Sequence, residues 1–450
     1  MIVCKFGGTS VQDAEAITRL LRIVESRRDE RPLVVVSAFA GVTDQLLELV
    51  PLVERGALTD AVAAIERIVA RHREVGRGLP GGGTLLPSIE MDARVLAQTL
   101  RGQAGRPLGA AERDHVVAHG ELWSSRVVSA AMAGAGLPAE WVDARDVMAT
   151  DAHFGRATPD AGEIAARAAA RLAPLLERGA IPVTQGFIGR APDGRTSTLG
   201  RGGSDFTASL LGAALGAARV EIWTDVTGIM TADPRLVPAA RTLAAASYDE
   251  AAELATFGAK VLHPATQLPL VERGIPIVVL NARRPELPGT RIEPSARLER
   301  VGDSPVRAIT CKKGIVVVNV RTARMLGAYG YLRRIFEVFE RHETPVDVLA
   351  SSEVSVSLTI EDRARLDPIV ADLADHGDVW VDEGRAIVAV VGLGLRGTPG
   401  IAARVFTAVQ PANVELISQG SSAINLTFVV REAEAADVVR RLHREFFGEA

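Results

Sequence analysis

The chain opens Met1-Ile2-Val3-Cys4-Lys5-Phe6-Gly7-Gly8-Thr9-Ser10, and the reading of that stretch decides the fold. Residues 1–4 are apolar and predict a strand, while Val11 to Arg28 has the apolar spacing of a helix. A strand leading through two adjacent glycines toward a helix is how a phosphate site is built. Glycines leave backbone N–H groups uncovered and let an anion approach closely, and a helix start adds its positive dipole end. Lys5 also stands out against its background. Only Lys5, Lys260, Lys312 and Lys313 are lysines, and the other 47 of the 51 basic residues are arginine. A chain that uses arginine for routine surface charge keeps lysine where a compact ammonium on a flexible stem is wanted, for example to follow a phosphoryl group during transfer. Lys5 and Lys260 are the leading candidates.

Outward from this stretch, strand-like runs alternate with long segments of helical periodicity as far as about residue 295. The runs are Leu33 to Ser37, Ile181 to Ile188, Val220 to Thr224 and Ile275 to Leu280. The pattern predicts an α/β fold with a mostly parallel central sheet covered by helices. Pro80-Gly81-Gly82-Gly83 reads as a flexible break, and the proline-containing stretch Arg283 to Pro305 as a connector. A length of 450 residues gives a prior of about three domains. The net charge of -4, with no basic run interleaved with aromatics, favours small-molecule chemistry over nucleic acid or an anionic membrane. Cys4 and Cys311 are too few for a disulfide framework or a cysteine metal site, and the scattered histidines have no ligand spacing. No apolar run reaches about 18 residues and the N-terminus does not read as a leader, so the expected compartment is the cytoplasm.

Four further clusters fall where an open parallel sheet exposes its ligand crevice, beyond the carboxyl ends of strands. Ser37 to Thr43 supplies small and hydroxylated residues for a substrate carboxylate or phosphate. His119-Gly120-Glu121, read at the start of a helical stretch, offers a carboxylate for an ammonium group; the competing reading is a glutamate favoured by the helix dipole. Leu199-Gly200-Arg201-Gly202-Gly203-Ser204-Asp205 combines exposed N–H donors, an arginine fork and a carboxylate. Arg201 suits a substrate carboxylate, and Asp205 suits either orienting a lysine or bonding a substrate amine. Thr224-Asp225 through Gly228 to Asp233-Pro234-Arg235, with Lys260 and His263-Pro264 beyond, is a loop region able to enclose a nucleotide.

After residue 300 the sequence repeats at a spacing of roughly seventy residues. Ile315 to Val320, Gly330, Pro345 to Val348 and Val354 to Ile360 correspond to Ala386 to Val391, Gly400, Asn413 to Leu416 and Ile424 to Val430. Each copy reads strand, helix, strand, strand, helix, a ferredoxin-like unit of the kind that pairs sheets side by side. Gly392-Leu393-Gly394-Leu395-Arg396-Gly397 fits a dinucleotide fingerprint, yet fewer than sixty residues follow it and it lies inside the second copy. It reads as a repeat turn. A Walker A pattern is absent.

Together the runs Lys5 to Ser10, His119 to Glu121, Gly200 to Asp205, Thr224-Asp225 to Arg235, Lys260 to Pro264 and Gln419 to Leu426 resemble the aspartate kinase family over the whole chain. The resemblance implies an amino-acid-kinase domain over residues 1–295 and two βαββαβ ACT domains over 305–383 and 384–450, with the strand at 305–311 able to pair with the second. It implies transfer of the γ-phosphoryl of ATP, with Mg²⁺ carried by the nucleotide, to L-aspartate, opening lysine, threonine and methionine synthesis. Carried over residue by residue, it makes Lys5, Asp205 and Lys260 catalytic and Thr43, Glu121 and Arg201 aspartate binders. Lys5, Gly7, Gly8, Thr224, Asp225, Met230, Arg235, Lys260 and Val261 become nucleotide contacts. Met230 stands where relatives often carry tyrosine. Met325, Gly330, Tyr331, Leu332, Val346, Asp347, Ser351, Ser352 and Glu353 become effector contacts, with lysine preferred over threonine, and Gly327, Ala328 and Pro345 depart from the polar residues of some lysine-inhibited members. Pairing through the ACT domains implies a homodimer, or a tetramer. Competing readings are a kinase of glutamate or an N-acylated relative, an inactive amino-acid sensor, and a nicotinamide dehydrogenase.

Overall fold

Five consecutive buried residues, Ile2–Phe6, form β1, as expected of a strand covered on both faces by helices. In the computed structural model, which describes residues 1–258, 262, 264–295 and 305–448, two compact units are distinguished. The first comprises Met1–Ile229, Ala244–Tyr248 and Val261–Leu298. Its strands, numbered along the chain, continue as β2 (Pro32–Val36), β3 (Ala139–Trp141), β4 (Ile181–Gln185), β5 (Ile188–Arg190), β6 (Thr196–Thr198), β7 (Val220–Thr224), β8 (Ala245–Ser247), β9 (Ile277–Asn281) and β10 (Thr290–Glu293). Eight of them form one sheet in the order β3-β4-β2-β1-β7-β9-β10-β8, and β5 and β6 form a separate hairpin. Within the eight, every pairing is parallel except β9 with β10. β1 lies between β2 and β7 in register, Phe6 opposite both Val36 and Trp223, so three strands end together at the point where the order reverses.

Several expectations need correction. The first helix runs Ala14–Ser26 and is capped by Asp13, whose carboxylate accepts from Ala16 N–H at 2.8 Å. The glycine pair therefore opens only a 3₁₀ turn, Gly8–Ser10, and not that helix. The strand-like run Ile181 to Ile188 is two strands, divided at Gly186 and Phe187, where Phe187 has φ 69°. Pro80 to Gly83 is not a flexible break but a packed turn: a Cβ on Gly134 would lie 2.3 Å from the Pro80 carbonyl oxygen. The connector after Arg283 contributes β10. His119-Gly120-Glu121 lies in the middle of a 25-residue helix, Ala110–Gly134, which excludes the dipole reading of Glu121.

The second unit comprises Met230–Leu243, Asp249–Lys260 and Glu299–Ala450. Its strands β11 (Ala308–Arg321), β12 (Leu349–Ser351), β13 (Ser355–Ile360), β14 (Asp378–Val391), β15 (Leu416–Gln419) and β16 (Asn425–Arg431) form one antiparallel sheet, ordered β12-β13-β11-β14-β16-β15. β11 and β14 are long enough to serve both repeats. Ile315 to Arg321 pairs with β13 and with the first half of β14, while Ala308 to Lys312 pairs with Ile387 to Val391. Two cores result, one under each half. The first gathers Val316, Val318, Ile335, Leu358 and Ile369; the second gathers Ile309, Val388, Val405, Phe428 and Leu442. Gly330 (φ 72°) and Gly400 (φ 76°) take the left-handed conformation just before the helices Tyr331–Arg341 and Ile401–Ala408, matching their places in the repeat. The glycine decoy closes a turn, with a Cβ on Gly392 falling 1.9 Å from the Pro305 carbonyl oxygen. No helix among the described residues is long and apolar enough to cross a membrane.

Candidate active site

At the carboxyl ends of β1 and β2 opens a cavity of about 380 Å³ lined by Lys5, Gly8, residues 37–41, Thr43, Asp44, Glu121, Phe187 and residues 200–205. β1 delivers Lys5, and the chain then turns through Gly8, where a Cβ would meet the Ala38 carbonyl oxygen at 2.9 Å. Close approach to the 38–40 loop, rather than a positive φ, is what demands glycine there. The Gly7 N–H donates to the Trp223 carbonyl at 3.1 Å, so only one of the two glycine donors is left open. Gly41 (φ 78°) reverses the chain into the helix Val42–Leu47, which carries Thr43.

Charge in the cavity is unevenly matched. Lys5 Nζ lies 2.6 Å from Asp205 Oδ1, and both side chains are largely buried. Asp205 stands in the first turn of the helix Gly203–Ala214, which Gly200 (φ 75°) and Gly202 (φ 73°) allow to start abruptly after β6. Glu121 is 4 % exposed, and its Oε2 has no hydrogen-bond partner among the described residues. Burial pushes its carboxyl up to about 8, against the opposing pull of the Ala38 N–H and its own N–H. Gly120 lets this helix approach so closely that a Cβ would touch Ala38 Cβ at 2.9 Å. Arg201 is exposed and in no ion pair among the described residues. The cavity thus holds one neutralised cation, one open guanidinium and one buried carboxyl lacking a counter-charge, an arrangement complementary to an anion bearing an ammonium group.

A model of the amino acid kinase family matches residues 1–281, and one of the ACT domain matches 388–446. The lysine-sensitive aspartokinase 3 of Escherichia coli is 39% identical over 99% of both chains. The chain belongs to the aspartokinase family. Aspartokinase 2 of Arabidopsis thaliana, a chloroplastic relative, is 33% identical over 99% of this chain and 84% of its own. Among solved structures, E. coli aspartokinase III in complex with aspartate and ADP has a TM-score of 0.84 at 38% identity, covering 99% of this chain and 100% of that one. The same enzyme in complex with lysine and aspartate also has 0.84, at 39% identity and 99% coverage of both chains.

Not every residue that the aspartokinase pattern assigns joins the cavity lining. Thr224 ends β7 and Asp225 follows it, and their loop is ordered by Asn281, which donates to the Asp225 carbonyl and to Thr227 Oγ1, both at 3.3 Å. Met230 and Arg235 belong to the second compact unit, where Met230 bridges to Thr242 and Arg235 forks onto Asp233 at 2.7 Å. Lys260, Val261 and His263 lie outside the described residues. In the first repeat, Met325, Leu332 and Val346 pack on the apolar core, the Tyr331 hydroxyl donates to the His376 carbonyl at 2.8 Å, and Asp347 pairs with Lys312 at 3.3 Å. Ser351 ends β12, Ser352 bonds Ser355 at 2.7 Å, and Glu353 is exposed.

Two contributors escaped the sequence reading. Arg71, on the helix Leu58–Arg77, donates to the carbonyls of Ala40 at 2.8 Å and Gln12 at 3.1 Å, tying the 38–41 loop to the start of the first helix. Phe187 lines the cavity in its left-handed conformation, and a Cβ on Gly203 would meet its ring at 2.7 Å. Neither has a motif around it; the one available signal was the glycine before Phe187 in an otherwise strand-like run.

Proposed function

We propose that this aspartokinase-family chain transfers the γ-phosphoryl group of ATP to the β-carboxylate of L-aspartate, giving 4-phospho-L-aspartate and ADP. The observation that carries the reading is a single cavity lined by Lys5, Thr43, Glu121, Arg201 and Asp205. The acceptor carboxylate is ionised at neutral pH and needs no base, so catalysis reduces to positioning and to stabilising charge on the transferred group. Arg201 takes the α-carboxylate, Glu121 the ammonium and Thr43 a carboxylate oxygen. Lys5, oriented by Asp205, follows the phosphoryl group, with the open Gly8 N–H beside it. Lys260, Val261, Gly7, Thr224, Asp225, Met230 and Arg235 complete the nucleotide contacts in this reading, and Lys260 shares the charge work of Lys5.

Among the described residues no cluster of three or more histidine, cysteine or acidic side chains could hold a metal. Mg²⁺ would be carried on the ATP phosphates and would supply charge neutralisation there; the chain's own contribution is Lys5. We assign residues 1–295 to catalysis and 305–383 and 384–450 to two ACT domains, with strand 305–311 pairing with the second. Feedback by lysine at the first ACT domain, a homodimer built through these domains and a cytoplasmic location complete the proposal. An effector acts only by binding one arrangement better than another.

A coupled ADP assay with aspartate, glutamate and homoserine as acceptors, each repeated with lysine and with threonine, tests substrate and regulator together. Release of ADP with aspartate alone, suppressed by lysine, is expected; equal turnover of glutamate would overturn the substrate assignment.

A further inference from the structure

Asp114 is a buried carboxylate of the catalytic unit, bonded to neutral donors, that the mechanism above does not use. It is 3 % exposed. Its Oδ2 accepts from Gly155 N–H at 2.9 Å and from Thr198 N–H at 2.8 Å, and its Oδ1 accepts from the Thr198 hydroxyl at 2.8 Å. No cation pairs with it among the described residues. Burial pushes its carboxyl upward while these donors pull it down.

What Asp114 holds is specific. Thr198 is the last residue of β6, three residues before Arg201, and Gly155 sits on the loop against which the arginine turn packs: a Cβ on Gly200 would meet the Gly155 carbonyl oxygen at 3.3 Å. The same loop is fixed from its other side by Ala157 N–H donating to the Thr198 carbonyl at 2.8 Å. On the helix Ala110–Gly134, Asp114 lies seven residues before Glu121, two turns along the same face. One rigid element therefore carries both the carboxyl that meets the substrate ammonium and the carboxylate that fixes the strand end leading to the substrate arginine.

We propose that Asp114 is a positioning residue for aspartate, setting the distance between Arg201 and Glu121 by anchoring Thr198 and Gly155 to the helix that carries Glu121. The inference rests on the proposed role of Arg201. What the geometry requires of position 114 is acceptors rather than charge. Asparagine keeps one oxygen for the two N–H donors, and its amide can donate to the Thr198 hydroxyl, which reverses from donor to acceptor. Alanine leaves three donors without their partner, two of them on buried Thr198.

The test is steady-state kinetics on the full chain for Asp114→Asn, Asp114→Ala, Thr198→Val and Arg201→Ala, with folding checked by circular dichroism and thermal melting. Asp114→Asn is expected to keep the KM for aspartate within about threefold of the parent. Asp114→Ala is expected to raise it at least ~10-fold, while kcat and the KM for ATP move by less than about threefold. Thr198→Val loses one bond with little change in shape and is expected to raise the aspartate KM about threefold, which keeps the proposal testable if the alanine variant does not fold. A folded Asp114→Ala or Thr198→Val protein with an unaltered aspartate KM overturns it, as does a loss confined to melting temperature and active fraction. Absence of aspartate-dependent ADP release in the parent would reject the kinase reading itself, and an unaltered KM in Arg201→Ala would reject only the role given to that arginine.

Discussion

Among the described residues Lys5 and Lys312 stand beside carboxylates, and in the proposed reading the contrast between them separates a site for turnover from one for control. In the cavity, Lys5 meets a single carboxylate, Asp205, at 2.6 Å, while Glu121 in the same lining has no counter-charge. In the first repeat, Lys312 meets two, Asp347 at 3.3 Å and Glu361 at 2.8 Å, and burial of Asp347 is partly offset by that ammonium. In the proposed reading the cavity around Lys5 is left electrostatically incomplete, so that its ligands supply the missing charges. Around Lys312 one ammonium meets two carboxylates, so in the proposed reading a cationic effector has to compete with Lys312 for Asp347.

The largest effect is expected where the mismatch is catalytic. Lys5→Ala lowers kcat at least ~10²-fold with the fold retained, as measured by ADP release on a protein with parental circular dichroism; an undiminished kcat would place the phosphoryl group elsewhere. Next comes the pH dependence of Glu121. Its carboxyl, raised to about 8, is protonated in the empty site at neutral pH and must lose that proton to pair with an ammonium. The aspartate KM therefore falls by about tenfold per unit as pH rises from 6 toward 8 and levels above it. The same raised group makes the ligand-free fold less stable as pH rises through that window. Glu121→Gln removes both trends, and a flat profile in the parent would show that the carboxyl is already ionised.

Control should respond to the other pair with catalysis left intact. Asp347→Asn raises the lysine concentration for half inhibition at least ~10-fold with kcat unchanged. Lys312→Met, the smallest effect, lowers that concentration by about threefold because the competitor for Asp347 is gone. A higher concentration instead would mean that Lys312 organises the effector site rather than competing for it.

Much of this was legible in local chemistry. The strand through Lys5, the glycine turn before Asp205 and the two left-handed glycines, Gly330 and Gly400, each announce themselves within a few residues. Glu121 was legible as a residue but not as a place. Its helix is buried nearly all round, so no apolar stripe marks where it begins, and a mid-helix motif was taken for a start. Arg71 and Asp114 were not legible. Their partners lie as far as 59 and 84 residues away and are mostly backbone groups, so only the folded chain brings them together. The segment after Gly228 was read as one nucleotide loop, yet Ala232 and Val237 are buried in the core of the second repeat, a long-range burial that turn-rich sequence does not signal.

The account stands on which carboxylate of aspartate faces Lys5. Turnover in the presence of hydroxylamine, which traps an acyl phosphate as its hydroxamate, reads this directly from the product. With Arg201 on the α-carboxylate and Lys5 beside the acceptor, aspartate β-hydroxamate is the predicted product. The α-hydroxamate, or ADP release with no hydroxamate at all, would contradict it.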